Sequence, residues 1–447
     1  MISNTFLINK TYRIGVLYFL LFTLFAVLQF NIFPAWYDWS IQLSMLFFFL
    51  LLMHALLRLK TSFFTWFIIF IYHIAFAAIM RYVDVCVYND PLGAGPADAA
   101  FYRSVGEQFS SQSLLSLINF LTLKGFILDD FGYPAIVWLN YYLFGDVGLH
   151  TTILCNGVVV AVGSYLVYRM ANYFVYSSLA KFSALVWGLM PFAIYTSAAG
   201  LKENFFAFCV ICSFYFFYRF YVNKNKLSLL VCICSILSLF LFRLATGYFV
   251  ILSFISFYIG KIRFIKKNLK LCLVLSFIIM IPAFPLITNA VLVQRGYDYE
   301  SVSSMQEART EATGGAVARV TNVVAGFVGP IPNFVADDYF KRTYITRYSF
   351  TPFFKMIISF FFLYGFIALV KKKRTVLFPF YVFILLNIIM MIFTFYTLHD
   401  RYHWPAIPLF FIVSAWGYQE YIGLHRSKFY TCYSLGVILL ILLFNLR

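Results

Sequence analysis

Apolar runs about twenty residues long recur from one end of this chain to the other, and they limit what it can fold into more than any other feature. A helix of that length crosses the roughly 30 Å hydrocarbon layer of a bilayer and satisfies its own backbone hydrogen bonds on the way. The runs lie near 14–34, 40–58, 62–83, 147–168, 182–200, 203–219, 227–242, 244–260, 270–292, 351–370, 375–397, 404–421 and 429–446. They predict an all-α fold, a polytopic transmembrane helix bundle of about 13 spans. Composition agrees, because 11% of the residues are charged where a soluble domain carries roughly 25%.

The formal charge of +17 would suit nucleic-acid binding, but the basic residues stand in short clusters between apolar runs, as topology determinants do. The partners expected are membrane lipids, with no nucleic acid. With the N-terminus cytoplasmic, the clusters at Arg58/Lys60, Arg169/Lys181, Arg219/Lys224/Lys226, Lys261 to Lys270, Lys371 to Arg374 and Arg426/Lys428 all fall on the inner side. That arrangement requires the short apolar segment Tyr133 to Gly145 not to cross. The first run follows Lys10 and Arg13 but lacks a small-residue cleavage site, so it reads as an uncleaved span. Seven of the eight cysteines lie in apolar runs and Cys86 alone in a polar loop, which leaves no disulfide framework to draw.

Acidic residues contribute little to orientation, yet under this topology 16 of the 17 fall on the outer side, Glu420 being the exception. Chemistry is therefore expected at the outer face. The chain divides into two leading helices over 1–61, a catalytic transmembrane module over 62–292 with a first outer loop at 84–146, a second outer loop at 293–350, and C-terminal spans over 351–447. The loops should carry helices lying in the membrane interface, the first with an apolar face running through Tyr102, Val105, Phe109, Leu114, Leu115, Leu117 and Ile118. The Thr313-Gly314-Gly315 and Gly329-Pro330-Ile331-Pro332 breaks make the second partly irregular.

Asp98 stands out first. It follows the turn Gly93-Ala94-Gly95-Pro96 and opens a surface helix, with Arg103 nearby, at the mouth of the bundle. A general base needs that half-desolvated setting, although a plain helix cap uses the same residue type. Asp84 and Asp90 are weaker members of the group, and with Asp98 they could hold a divalent cation, the one cofactor left open. Lys202 and Glu203 share a very short turn between two spans, either paired with each other or divided between a phosphate and a sugar hydroxyl. Arg243 stands between apolar runs with no acid beside it, which suits an anion such as a lipid phosphate. In Leu398-His399-Asp400-Arg401-Tyr402-His403-Trp404-Pro405, Arg401 and His403 can donate to a phosphate, whereas the His399/His403 spacing has no zinc motif around it. No phosphate-binding glycine loop and no nucleotide-binding domain is seen, so a lipid-borne donor is the natural substrate.

The pattern resembles the C-type glycosyltransferase superfamily, polytopic enzymes that use polyprenyl-phosphate-linked sugars and include protein mannosyltransferases and the lipid A aminoarabinose transferase. The matching stretches are Pro96-Ala97-Asp98 with Tyr102, Gly132-Tyr133-Pro134 leading to Tyr142-Leu143-Phe144-Gly145, Lys202-Glu203, and Arg401-Tyr402-His403-Trp404-Pro405-Ala406-Ile407-Pro408, spread over about 62–421. The resemblance implies a glycosyltransferase of the bacterial inner membrane that moves a sugar from a polyprenyl-phosphate donor to a cell-envelope glycan or lipid acceptor at the periplasmic face. It implies Asp98 as the catalytic base or a metal-binding carboxylate, Glu203 as the second acidic residue of the site and Arg401 as a donor-phosphate ligand; the expected site is then Asp98 and Glu203 as catalytic residues with Tyr102, Arg103, Lys202, Arg243, Arg401 and His403 binding substrate. Displacement at the anomeric carbon would be in line and inverting, the acceptor hydroxyl losing its proton to Asp98 while the lipid phosphate leaves. The chain departs from the superfamily in having two spans ahead of the usual first one, and Asp98-Ala99 where an Asp-Glu pair is customary.

The closest rival is an O-antigen or exopolysaccharide polymerase acting on polyprenyl-diphosphate glycans, for which Arg295, Arg309, Arg319, Arg342 and Arg347 of the second loop would be the working residues. A lipid-glycan transporter would need ionisable groups at mid-bilayer, and most charges here sit at span ends.

Overall fold

A computed structural model of the protein describes residues 36–92, 97–126, 130–262, 264, 267–268, 316–331, 350–394, 397, 399–422 and 427–445. Among these the regular structure is entirely helical. Six segments are long and apolar enough to cross a membrane: Phe63–Tyr88, Gly132–Ala171, Ser177–Ala198, Glu203–Asn223, Thr351–Lys372 and Thr375–Thr394. The expected spans at 40–58, 227–242, 244–260, 404–421 and 429–446 are also helical where described. Those at 14–34 and 270–292 lie outside the described residues, so the count of 13 rests on the sequence alone.

The helices run in chain order as α1 Trp36–Arg58, α2 Phe63–Tyr88, α3 Ala97–Phe109, α4 Leu114–Leu123, α5 Gly132–Phe144, α6 Gly148–Ala171, α7 Ser177–Gly188, α8 Pro191–Ala198, α9 Glu203–Asn223, α10 Lys226–Phe242 and α11 Leu244–Ile259. There follow α12 Ala316–Phe327, α13 Phe350–Lys372, α14 Phe378–Thr394, α15 Asp400–His403, α16 Ile407–Ile422 and α17 Ser427–Asn445. Packing alternates along the chain: α9 lies on α10, α10 on α11, α11 on α14, and α13 on α16. Lipid is as apolar as leucine, so close approach of backbones holds such pairs together. At the α13–α16 crossing Gly365 and Gly417 face each other, and a methyl group on Gly417 would strike the Phe361 carbonyl.

Helix α2 runs about a turn past the expected end of its span and includes Asp84 and Cys86. Asp84 is therefore buried in a helix rather than placed in a loop. The single surface helix expected after Pro96 is two helices, because Ser113 interrupts it and caps α4 by accepting from the Ser116 amide. Ala99, Tyr102, Val105 and Phe109 of α3 and Leu117 and Leu121 of α4 point inward, while Leu114, Leu115 and Leu123 are exposed. Helix α5 has 13 residues and rises about 20 Å, short of a bilayer core. It turns at Gly145 and packs back along α6, with Cys155 Sγ donating to Asn140 Oδ1. In the second outer loop α12 is a helix and the chain breaks after it, while the Thr313-Gly314-Gly315 break lies outside the described residues. So do Arg295, Arg309, Arg342, Arg347 and the side chain of Arg319.

Candidate functional site

Helices α9 and α11 begin, and α10 and α14 end, at one pole of the bundle, and this alternation gathers the charged turns there. The Lys202–Glu203 turn follows Gly200, whose φ of +66° is the left-handed conformation that only a residue without a side chain adopts freely. Arg81 of α2 fastens the same turn from within. Its Nε donates to the Ala198 carbonyl and its Nη1 to the Leu149 carbonyl, both at 2.8 Å. Arg243 is the extended residue linking α10 to α11. Arg401 sits in the four-residue helix α15, which passes into a single 3₁₀ turn, Trp404–Ala406, because Pro405 cannot continue the hydrogen-bond ladder.

These turns meet at Arg401. Its Nε donates to Glu203 Oε1 and its Nη2 to Asp98 Oδ2, each at 2.7 Å. Glu203 is almost fully enclosed, with a side-chain exposure of 6%, whereas Asp98 is 49% open to solvent. The second Glu203 oxygen, Oε2, is buried without a hydrogen-bond partner. Burial alone would lower the Arg401 pKa, but Glu203 and Asp98 raise it further still, so the guanidinium stays charged. Lys202 does not pair with Glu203; its Nζ donates to Asp130 Oδ1 at 2.8 Å.

A cleft, partly open to solvent, lies beside the Arg401–Glu203 pair. Lys202, Arg243 and Arg401 give it a cationic side, while Phe206, Met390, Met391 and Pro405 give it an apolar one. Arg243 makes no ion pair among the described residues; its guanidinium lies 4.8 Å from the centre of the Tyr402 ring. An arginine in a cleft with an apolar wall suits an anionic headgroup joined to a hydrocarbon tail.

Other expected residues are placed differently. Tyr102 is buried, its ring 4.8 Å from that of Tyr133, and burial together with Asp98 and Glu203 raises its phenol above the ordinary range. Arg103 is not among the residues lining the cleft; it donates to Glu107 Oε1 at 2.7 Å and to Asp90 Oδ1 at 3.3 Å. The hydrogen bond to Glu107 raises its pKa. His403 is turned inward, between Lys355 Nζ on Nδ1 at 2.7 Å and the Thr397 carbonyl on Nε2 at 2.8 Å. Burial, then the Lys355 charge, holds its pKa well below the usual imidazole value. Neither ring nitrogen is left for a phosphate. Among the described residues no three His, Cys, Asp or Glu side chains form a metal site. The Arg401 guanidinium joins Asp98 to Glu203, so these carboxylates do not fit a shared cation.

Sequence reasoning missed Arg81, Asp130 and Lys355 as supports of the site. Arg81 and Lys355 each interrupt an apolar run, and that cost is itself a signal. Asp130 carries no such mark.

Residues 131–287 match the family model of dolichyl-phosphate-mannose-protein mannosyltransferase. The chain is thus similar over these residues to a family of C-type polytopic glycosyltransferases. No significant match was found among curated proteins or among solved structures. The fold and this likeness together define a membrane glycosyltransferase. The matched stretch carries Lys202, Glu203 and Arg243, while Asp98 and Arg401 join them from outside it.

Proposed function

We propose that this protein transfers a sugar from a polyprenyl-phosphate donor to a cell-envelope glycan or lipid acceptor at the outer face of a bacterial inner membrane. The observation that carries the reading is Arg401 holding a buried carboxylate and an exposed one at the rim of a cleft that contains Arg243, which has no ion pair among the described residues. The donor phosphate sits on Arg243, with Lys202 and the remaining N–H groups of Arg401 nearby. Its prenyl chain leaves along Phe206, Met390 and Met391. Asp98, the carboxylate open to solvent, receives the acceptor and takes the proton of its hydroxyl as the new bond to the anomeric carbon forms. The phosphate leaves with the electron pair of the broken bond, and the cationic side of the cleft stabilises it. Glu203 keeps Arg401 oriented between the two.

Donor class is the test. Purified protein in lipid vesicles should transfer labelled sugar from a polyprenyl-monophosphate donor to envelope glycan or lipid, and none from a nucleotide sugar. Transfer only from polyprenyl-diphosphate glycans would replace this reading with the polymerase.

A further inference from the structure

Arg401 can orient two carboxylates only if its own backbone is fixed, and the local structure cannot fix it. Helix α15 has four residues, with the extended His399 before it and a 3₁₀ turn after it. So short a helix has no stability of its own. Glu203, the first residue of α9, stands at an equally weak place, where helices fray.

A second, fully buried bond joins the same two segments. Trp404 Nε1 donates to Asn204 Oδ1 at 3.2 Å. Asn204 uses its two amide hydrogens on the Ala193 carbonyl, at 2.8 Å, and on Ser197 Oγ, at 2.9 Å. Ser197 Oγ in turn shares a hydrogen bond with His73 Nε2 in α2. The Trp404 indole is wedged against Phe192 and Trp187, ring centres 4.8 and 6.0 Å away. The bonds 203–401 and 204–404 are therefore two rungs between one pair of backbones, the outer facing the cleft and the inner out of contact with it.

We infer that Asn204, with Trp404 as its partner, is a positioning residue that sets the Arg401–Glu203 geometry by locking the α15 segment against the start of α9. The inference rests on the proposed transferase function for its kinetic consequence but not for its structural one. A displacement of about 1 Å at a positioning group costs on the order of 100-fold in rate, which gives the scale.

Trp404→Phe removes the N–H and keeps most of the ring packing. The expected result is a fall in kcat of about 10- to 100-fold with the donor KM within about threefold of wild type. In an Arg401→Lys background, where the geometry is already lost, the same substitution should cost about twofold or less. The double variant Asn204→Leu/Trp404→Phe removes the stranded amide oxygen, and the acceptors it deserts keep a partner, the Ala193 carbonyl in Ser197 Oγ and Ser197 Oγ in His73, so it should recover thermal stability while kcat stays low. An unchanged kcat in Trp404→Phe, a loss carried over in full into Arg401→Lys, or kcat restored along with stability would each overturn the inference. Thermal unfolding of Glu203→Gln, Trp404→Phe and Glu203→Gln/Trp404→Phe in detergent reads the coupling of the rungs without any transfer assay. Shifts smaller than additive support the inference and fully additive shifts overturn it, even if the transferase reading itself has failed.

Discussion

Arg401 Nε donates to Glu203 Oε1 at 2.7 Å, joining residues 198 positions apart in the chain. The pair is asymmetric, since Glu203 is buried and Arg401 is 30% exposed. Removing the arginine strands a buried carboxylate, whereas neutralising both partners strands nothing. We therefore expect Arg401→Gln to lower stability by about 3 kcal/mol. Glu203→Gln/Arg401→Gln should regain most of that loss. Chemical or thermal unfolding of the wild type and these two variants in detergent checks this.

Arg243 differs because its described contact is the Tyr402 ring. A cation–π contact of this kind is worth about 1 kcal/mol, so Arg243→Ala should unfold close to wild type. Its effect should fall on donor binding, raising the donor KM by about 10- to 100-fold, since a charge-assisted bond to phosphate contributes about 1.5–3 kcal/mol. Donor saturation curves separate that from a loss of folded protein.

Asp400 gives the site a pH signature. Burial pushes its carboxyl up to about 8 from 3.8, with Lys355 drawing it back down. An acid whose folded pKa is raised binds its proton more tightly in the native state, so the stability it contributes is full below 3.8 and is lost as pH rises through about 8. His403, whose lowered pKa adds stability as pH rises, acts in the opposite sense, so the Asp400 contribution is read as the wild-type thermal midpoint minus that of Asp400→Asn, a difference that should fall across the window. A difference that rises over the same range would contradict the assignment.

Much of this site was legible in the sequence because of solvation. An ionisable residue in an apolar chain costs on the order of 2.5–3.5 kcal/mol near the bilayer centre, so Asp98, Lys202, Glu203, Arg243 and Arg401 stand out wherever they occur. Helices were legible from apolar runs for the same reason. What the sequence withheld was partnership. Nothing in Lys202-Glu203 tells that the lysine turns to Asp130 and the glutamate to Arg401. His403 was expected to reach a phosphate and instead faces Lys355, because an inward-facing helix residue is fixed by packing against a distant span. The break between α3 and α4 was readable in hindsight from Ser110-Ser111-Gln112-Ser113, a polar run that ends in a cap.

Turnover of Asp98→Asn tests the central claim most directly, with membrane insertion and the thermal midpoint shown to be those of wild type. The substitution keeps the size of the side chain and removes its capacity to take a proton. If Asp98 is the base, kcat falls by about 100- to 10,000-fold while the donor KM holds. Full activity in Asp98→Asn would contradict the account and remove the exposed carboxylate from the chemistry.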